Sequence, residues 1–191
     1  DIYVYGTVKD YESAKKLADI KITIYKNGAK IQEVVSSASG KYEFNLDFGA
    51  DYKMVYEGGS MVSKNILIDT RNIPEEERLG GFGMNVDMTL FKETPGLDVS
   101  ILDQPIGKAK YQAGDGALSW DYEYTREIQD ELRRLMREFE AKQKDQQKLQ
   151  EQFAALVKEG DAAMAASEYS KAVSSFSDAL GLMPNDAGVK G

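Results

Sequence analysis

Acidic side chains are the main candidates for chemistry in this chain, because its 191 residues include 32 Asp and Glu but neither His nor Cys. Ser-His-Asp triads, His-ligated zinc sites, thiol nucleophiles and disulfides are therefore excluded, whereas a carboxylate-only hydrolase stays open, as does chemistry by Lys and Tyr side chains. One acidic cluster, residues 75–77, lies between Pro74 and Arg78. A solvated charge run on a loop explains this cluster better than an acid–base pair.

A second set of polar and aromatic side chains surrounds the single tryptophan. It comprises Asp115, Trp120, Asp121, Tyr122, Glu123 and Tyr124. Such residues could line a sugar subsite. They could equally begin a helix, since acidic residues favour the first turn and aromatic residues can seal its junction with a sheet. The helix start is the preferred interpretation, and a glycan- or peptide-binding module centred on Trp120 is the alternative function.

Other ligand-binding motifs are incomplete. Residues 80–83 read Gly-Gly-Phe-Gly and lack the Lys and Ser/Thr of a phosphate loop, so they predict a turn. The sequence contains no twelve-residue EF-hand loop. We therefore predict no catalytic residue, no metal site and no cofactor, and the protein is expected not to be an enzyme.

Composition narrows the class of partner. The chain is 42% hydrophobic and 29% charged, which is typical of a globular protein. Its formal net charge of -8 opposes nucleic-acid binding, which depends on cationic side chains. No apolar run is long enough for a membrane-spanning helix, so no direct membrane span is expected. Other proteins are the expected partners.

The elements before residue 121 are predicted to be strands. Apolar residues alternate with polar ones over residues 2–8, 20–25, 42–46 and 84–90, with turn residues such as Asn27-Gly28 between them. This spacing predicts an α+β protein whose residues 1–92 form an N-terminal antiparallel β-sandwich. Residues 69–83 are expected to be a loop, and residues 93–120 a wrapping or linker segment.

The first part of the chain resembles the carboxypeptidase regulatory-like domain, a transthyretin-like β-sandwich. The matching segments are residues 5–10, 18–24 and 39–44, followed by Gly49 and Tyr52. The resemblance implies a domain that supports, links or presents other domains and is not itself catalytic.

A long connecting helix is predicted over residues 121–158, because residues 121–159 contain neither Gly nor Pro. Its apolar ladder consists of Ile128, Leu132, Leu135, Phe139, Leu149, Phe153 and Leu156, and is interrupted by Lys142 and Gln146. A helix that is apolar at both ends and polar in its middle should pack at each end and cross solvent between. A coiled-coil dimer is the alternative, which the two polar rungs disfavour.

Residues 153–191 resemble a tetratricopeptide repeat. The matching positions are Leu156, Gly160, Ala163, Tyr169, Ala172, Phe176, Ala179 and Pro184, with Ala163 smaller than the family pattern expects. The resemblance implies a C-terminal helical hairpin that binds proteins. One repeat cannot bury its own face, so we expect it to be the first of several, with the native protein continuing beyond this chain. The exposed face could also pair two copies into a homo-oligomer.

The sequence therefore predicts a non-catalytic interaction or scaffold protein. A sandwich followed by repeats resembles envelope proteins of Gram-negative bacteria. The chain begins directly on strand-like alternation, which fits a mature protein after leader removal. The expected location is periplasmic or outer-membrane-associated.

Overall fold

The structure is a computed structural model that describes residues 1–182. The chain divides into two compact units, Asp1–Leu135 and Met136–Gly191, and the boundary falls within a long helix. The strands are β1 Ile2–Asp10, β2 Lys21–Lys26, β3 Ala29–Val35, β4 Lys41–Leu46, β5 Asp51–Glu57, β6 Lys64–Asp69, β7 Phe82–Asn85, β8 Met88–Leu90, β9 Lys108–Gln112 and β10 Ala117–Trp120. The helices are α1 Tyr122–Ala165 and α2 Tyr169–Leu182, with short 3-10 helices at Glu75–Gly80 and Ser100–Asp103.

The smaller sheet is built around β1. This strand pairs with antiparallel β4 on one side and with parallel β7 and β8 on the other. Its alternation predicted which face is buried: Ile2, Val4 and Val8 are fully buried, whereas Tyr3 and Tyr5 face outward.

The larger sheet has the order β10-β9-β6-β5-β2-β3. Side chains from both sheets form one core cluster, so the first unit is a β-sandwich. The expectation of a wholly antiparallel sandwich was wrong, because β6 and β9 are parallel, as are β1 with β7 and β8. The cause is topological. After β6 the chain crosses to the smaller sheet for β7 and β8, and it returns with β9 running in the same direction as β6.

The prediction that residues 93–120 form a wrapping or linker segment was wrong for their second half. β9 and β10 pair antiparallel with each other and extend the larger sheet beyond β6. Ala109 and Leu118 are buried in the core cluster. The sandwich therefore extends to Trp120 and does not end at residue 92.

The predicted strand over residues 84–90 is interrupted, and Gly6 is the reason. The Val86 amide donates to the Tyr5 carbonyl at 2.8 Å, and the Thr7 amide donates to the Asp87 carboxylate at 2.9 Å. A Cβ atom on Gly6 would lie 2.0 Å from the Val86 carbonyl oxygen. Only glycine permits this close approach, which separates β7 from β8.

The helix α1 begins one residue after the predicted start at 121 and continues past the predicted end at 158 to Ala165. Within the first unit Ile128 and Leu135 are buried, and within the second unit Phe139 is buried. Residues 144–148, in the polar middle of the ladder, are exposed. Among residues 1–182, no helix is both long and apolar enough for a membrane span.

Candidate interaction surfaces

The acidic residues 75–77 occupy the first turn of a 3-10 helix and are exposed. The neighbouring Arg78 guanidinium donates twice to the Ile73 carbonyl, at 3.0 and 2.7 Å, and lies 5.6 Å from the Phe48 ring centroid. Arg78 thus anchors the loop to the sandwich. This geometry is that of a solvated charge run. In residues 1–182, no group of three or more His, Cys, Asp or Glu side chains is arranged to hold a metal ion.

Asp121 lies at the N-terminus of α1. One of its carboxylate oxygens accepts the Tyr124 amide at 3.3 Å, and the other accepts the Lys110 ammonium at 2.7 Å. The hydrogen bond from Lys110 and the backbone bond from Tyr124 lower the pKa of Asp121 below its ordinary value. A carboxylate in this position caps the helix and complements its dipole.

The aromatic residues beside Asp121 are largely occupied by structural contacts. The Tyr124 hydroxyl donates to the Pro105 carbonyl at 2.6 Å, and the Lys108 ammonium lies 3.9 Å from the Tyr124 ring centroid. Trp120 packs against the core and over Gly107, where a Cβ would lie 3.1 Å from the indole. Tyr122 alone is mostly exposed, at 77%.

A small apolar cavity remains beside Trp120. Its volume is about 290 Å³, and its apolar lining includes Val86, Met88, Ile106 and Trp120. Asp115 and Glu123 do not line this cavity. The structure therefore separates the acidic residues of the hypothetical sugar subsite from the aromatic pocket.

In the second unit, the motif positions lie on α1 and α2. Ala163, Ala172 and Ala179 are almost completely buried, and a Cβ on Gly160 would lie 2.5 Å from the Phe176 ring. Small side chains thus allow close packing at this end of the hairpin, and Phe176 covers Gly160. Tyr169 is 62% exposed. Leu156 is half-buried, and Pro184 lies outside the described residues.

The hairpin carries an open apolar groove of about 570 Å³. Its lining consists of Gln152, Ala155, Leu156, Ser177, Asp178, Gly181 and Leu182. Three larger side chains of the same unit are also exposed: Met164 at 49%, Tyr169 at 62% and Val173 at 64%. These side chains add to the exposed apolar surface of the second unit.

The outer face of the smaller sheet carries a feature that the sequence reasoning did not single out. The Tyr3 and Tyr5 rings are stacked, with centroids 5.3 Å apart, and the Tyr3 hydroxyl donates to the Glu43 carboxylate. This hydrogen bond is the main cause of the raised pKa of Tyr3. The two rings lie in a groove of about 710 Å³. The sequence signal for this feature was a pair of tyrosines, two residues apart, at the outward-facing positions of β1.

Lys64 is the most perturbed lysine that the structure describes. Its ammonium group donates to the Thr89 carbonyl at 2.6 Å and lies 5.1 Å from the Phe91 ring centroid. Burial lowers its pKa to about 8, because the charged form loses hydration. The contacts tie β6 to β8, which belongs to the other sheet, and assign Lys64 a structural role.

No family model and no curated protein matches this chain. Several solved structures are similar to about half of it. Rhodococcus opacus 3-chlorocatechol 1,2-dioxygenase is 12% identical, with a TM-score of 0.35 over 48% of this chain and 59% of that one. Klebsiella pneumoniae 5-hydroxyisourate hydrolase is 8% identical, with a TM-score of 0.38 over 48% of this chain and 92% of that one.

A pilus protein gives a similar score. The shaft pilin SpaA from Lactobacillus rhamnosus GG is 13% identical, with a TM-score of 0.33 over 48% of this chain and 50% of that one. This chain therefore spans less than two thirds of the dioxygenase and of the pilin. The similar structures include enzymes and a pilus protein alike, and at these scores they carry no argument about function.

Proposed function

We propose that this chain is a non-catalytic protein-interaction module of a scaffold protein. In this proposal the sandwich supports or presents other domains, and the helical hairpin docks a partner protein. The hairpin is of the tetratricopeptide type, as its motif positions suggest. The protein does not turn over a substrate.

The exposed apolar surface of the hairpin is the observation that carries the proposal. Its groove is lined by Ala155, Leu156 and Leu182, and Val173 and Tyr169 are also exposed. Exposed apolar surface of this kind marks protein-binding sites, since covering it removes apolar area from water. The partner that fits is a protein with an apolar helix or side-chain cluster of its own, including a further repeat or a second copy of this chain.

Contacts in the sandwich support a non-catalytic role. Asp121 is held by Lys110 and by the helix it caps, and Glu43 accepts the Tyr3 hydroxyl. Asp10 is buried, and although burial alone would raise its pKa, hydrogen bonds from Ser13 lower it. The structural partners of Asp10 and Asp121 lower the pKa values of these two carboxylates, which suits support and not proton transfer.

Site-specific photo-crosslinking tests the docking surface. A photoreactive amino acid at Val173 should crosslink one partner reproducibly in an envelope extract. The same residue at Glu131, an exposed position of α1 in the other unit, is the matched control. The additional substitution Tyr169→Asp should suppress the Val173 crosslink, because a charge would then enter the apolar surface. An identical crosslinking pattern from both positions would contradict the proposal.

We also propose that the protein resides in the bacterial envelope, periplasmic or outer-membrane-associated. This part of the proposal is supported by the resemblance of the two motif sets to envelope proteins. Cell fractionation with antibody detection tests it, and recovery of the protein only from the cytoplasm would contradict it.

The cavity beside Trp120 keeps the alternative function, a glycan- or peptide-binding module, open to test. Because Trp120 is the single tryptophan, any ligand in the cavity should shift its fluorescence emission. Emission that stays unchanged across oligosaccharide and peptide panels at saturating concentrations would eliminate this alternative.

A further inference from the structure

We propose that the outer face of the smaller sheet is a binding platform for a neutral oligosaccharide, with Tyr3 and Tyr5 as its floor. This inference is independent of the protein-docking function, because it concerns a different surface in a different unit. It rests on the register of the sheet, the exposure of the two rings and the charge of their neighbours.

The register places the platform side chains in adjacent rows. Tyr3 lies between Asn45 and Gly83, and Tyr5 lies between Glu43 and Asn85. Paired residues of a sheet project from the same face, so these side chains all point away from the core. Gly83 contributes no side chain, and a Cβ built there would meet nothing within 4 Å. One flank of Tyr3 is therefore open.

The tyrosines offer apolar ring surface to a ligand. Tyr3 is 41% exposed and Tyr5 is 39% exposed, and because the two rings stack on each other at an interplanar angle of 24°, each offers its outer face and its edge. A pyranose ring has an apolar face of C–H groups and a rim of hydroxyls. It can therefore cover an aromatic ring while its hydroxyls bond to polar neighbours.

The polar groups around the rings match the hydroxyl rim of a sugar. Asn45 and Asn85 provide amide donors and acceptors, Glu43 provides acceptor oxygens, and Lys41 provides an ammonium donor. Val34 and Val35 form an apolar side of the same groove. Its volume of about 710 Å³ lies within the range of about 300–1,000 Å³ that is typical of small-molecule sites.

The charges favour a neutral ligand. Lys41 and Glu43 are opposite in sign and both line the groove, and the whole chain carries a net charge of -8, which opposes an anionic sugar. At the tyrosines, the backbone of β1 is paired on both sides with β4 and β7, so β1 offers no free edge for strand addition. The edge strands β3 and β4 also border the groove, so a peptide probe belongs in the test.

Binding to a defined panel tests the proposal. Calorimetric titrations of the full 191-residue chain would use the neutral hexasaccharides cellohexaose, xylohexaose, mannohexaose, laminarihexaose and chitohexaose, with a proline-rich decapeptide as the peptide probe. We expect saturable binding of at least one hexasaccharide. Tyr3→Ala and Tyr5→Ala should each weaken it by about fivefold to tenfold, since each variant removes an aromatic contact with the sugar.

Two further variants separate binding from folding. Gly83→Gln should weaken binding while retaining the wild-type thermal midpoint, because its side chain would occupy the open flank of Tyr3, beside the groove lining, without a steric clash. Tyr122→Ala, at an exposed tyrosine outside the groove, should leave the affinity unchanged. Bound sugar should not shift the emission of Trp120, which does not line this groove.

Three results at the groove itself would overturn the proposal. They are the absence of binding to every hexasaccharide, binding that Gly83→Gln and the tyrosine variants leave unchanged, and binding of the peptide alone. Equal weakening by Tyr122→Ala together with a Trp120 emission shift would also overturn it, because the ligand would then lie in the cavity beside Trp120.

Discussion

Gly160 and Gly181 both lie in helices, but their surroundings differ. A Cβ on Gly160 would lie 2.5 Å from the Phe176 ring, whereas one on Gly181 would meet nothing within 4 Å. We predict that Gly160→Ala destabilises the hairpin by about 1–3 kcal/mol, because Phe176 must move. The control Gly181→Ala should be neutral or slightly stabilising, since alanine favours helix.

Urea unfolding followed by circular dichroism at 222 nm measures both variants. Equal stability of the two would show that Phe176 relaxes freely and that the close packing at Gly160 contributes little. That outcome would also weaken the assignment of the repeat positions.

Lys64 gives the stability of the sandwich a distinctive pH dependence. Its pKa is about 8 when folded and about 10.5 ordinarily, so between these values the unfolded chain binds more protons than the folded one. The free energy of unfolding should therefore rise with pH over this window, by on the order of 1 kcal/mol from this group. Above about pH 10 the buried Tyr42 and Tyr56 have the opposite effect. Burial raises their pKa values, so the free energy of unfolding should fall as the pH rises further.

The variant Lys64→Met isolates this contribution, since methionine keeps an apolar contact with Phe91 but does not titrate. Chemical unfolding at intervals between pH 7 and pH 9.5 should show the rise in the wild-type chain and a flatter profile in the variant. The same slope in both proteins would refute the assignment to Lys64.

Residue types predicted the core better than the candidate surfaces. Ile2, Val4 and Val8 were readable as buried because alternation reports which face of a strand meets apolar neighbours. Tyr3 and Tyr5 share that alternation on the opposite face, so the pattern alone describes them as ordinary outward residues. Their significance depends on Glu43 and Gly83, which are distant in sequence and become neighbours only through strand pairing.

At the scale of elements, the start of α1 is set by one side chain. We predict that Asp121→Ala measurably lowers the free energy of unfolding of the first unit, because the helix loses its cap and Lys110 loses its partner. Asp121→Asn should retain most of the stability, since asparagine caps helices nearly as well as aspartate. Thermal or urea unfolding measures all three proteins.

Asp115→Ala is the matched control, because Asp115 lies in the turn between β9 and β10 and does not cap α1. It should leave stability unchanged. If it destabilised the protein as much as Asp121→Ala, the acidic cluster would act as a unit and not through the cap.

The elements that the sequence revealed are those with local signals. Continuous helix formers predicted α1, and alternation predicted β1, β2 and β4. β9 and β10 were not predicted from the sequence. Lys108–Gln112 alternates little between apolar and polar residues, and it closely follows Pro105 and Gly107. Parallel pairing of β1 with β7 could not be predicted either, since no short-range pattern specifies a partner 80 residues away.

At the scale of the whole molecule, the position of the core defines the smallest folding unit. All residues of the core cluster lie between Ile2 and Leu118. We predict that a fragment of residues 1–135 unfolds cooperatively near the temperature of the sandwich transition in the full chain. A fragment of residues 1–92, which lacks β9 and β10, should show no cooperative transition, because it exposes an edge of the core.

Differential scanning calorimetry of the two fragments and the full chain tests this prediction. Cooperative unfolding of residues 1–92 would restore the shorter domain boundary that the sequence suggested.

The central place of β1 also dictates the order in which the protein can assemble during synthesis. Of the described strands β1 is synthesised first, but it pairs with β4, β7 and β8, and the last of these ends at Leu90. The larger sheet is completed only when β10 has emerged, about 120 residues into this chain. The apolar face of β1 therefore stays partly uncovered until β10 has been synthesised. This delay lengthens the time in which the unfinished sandwich can aggregate.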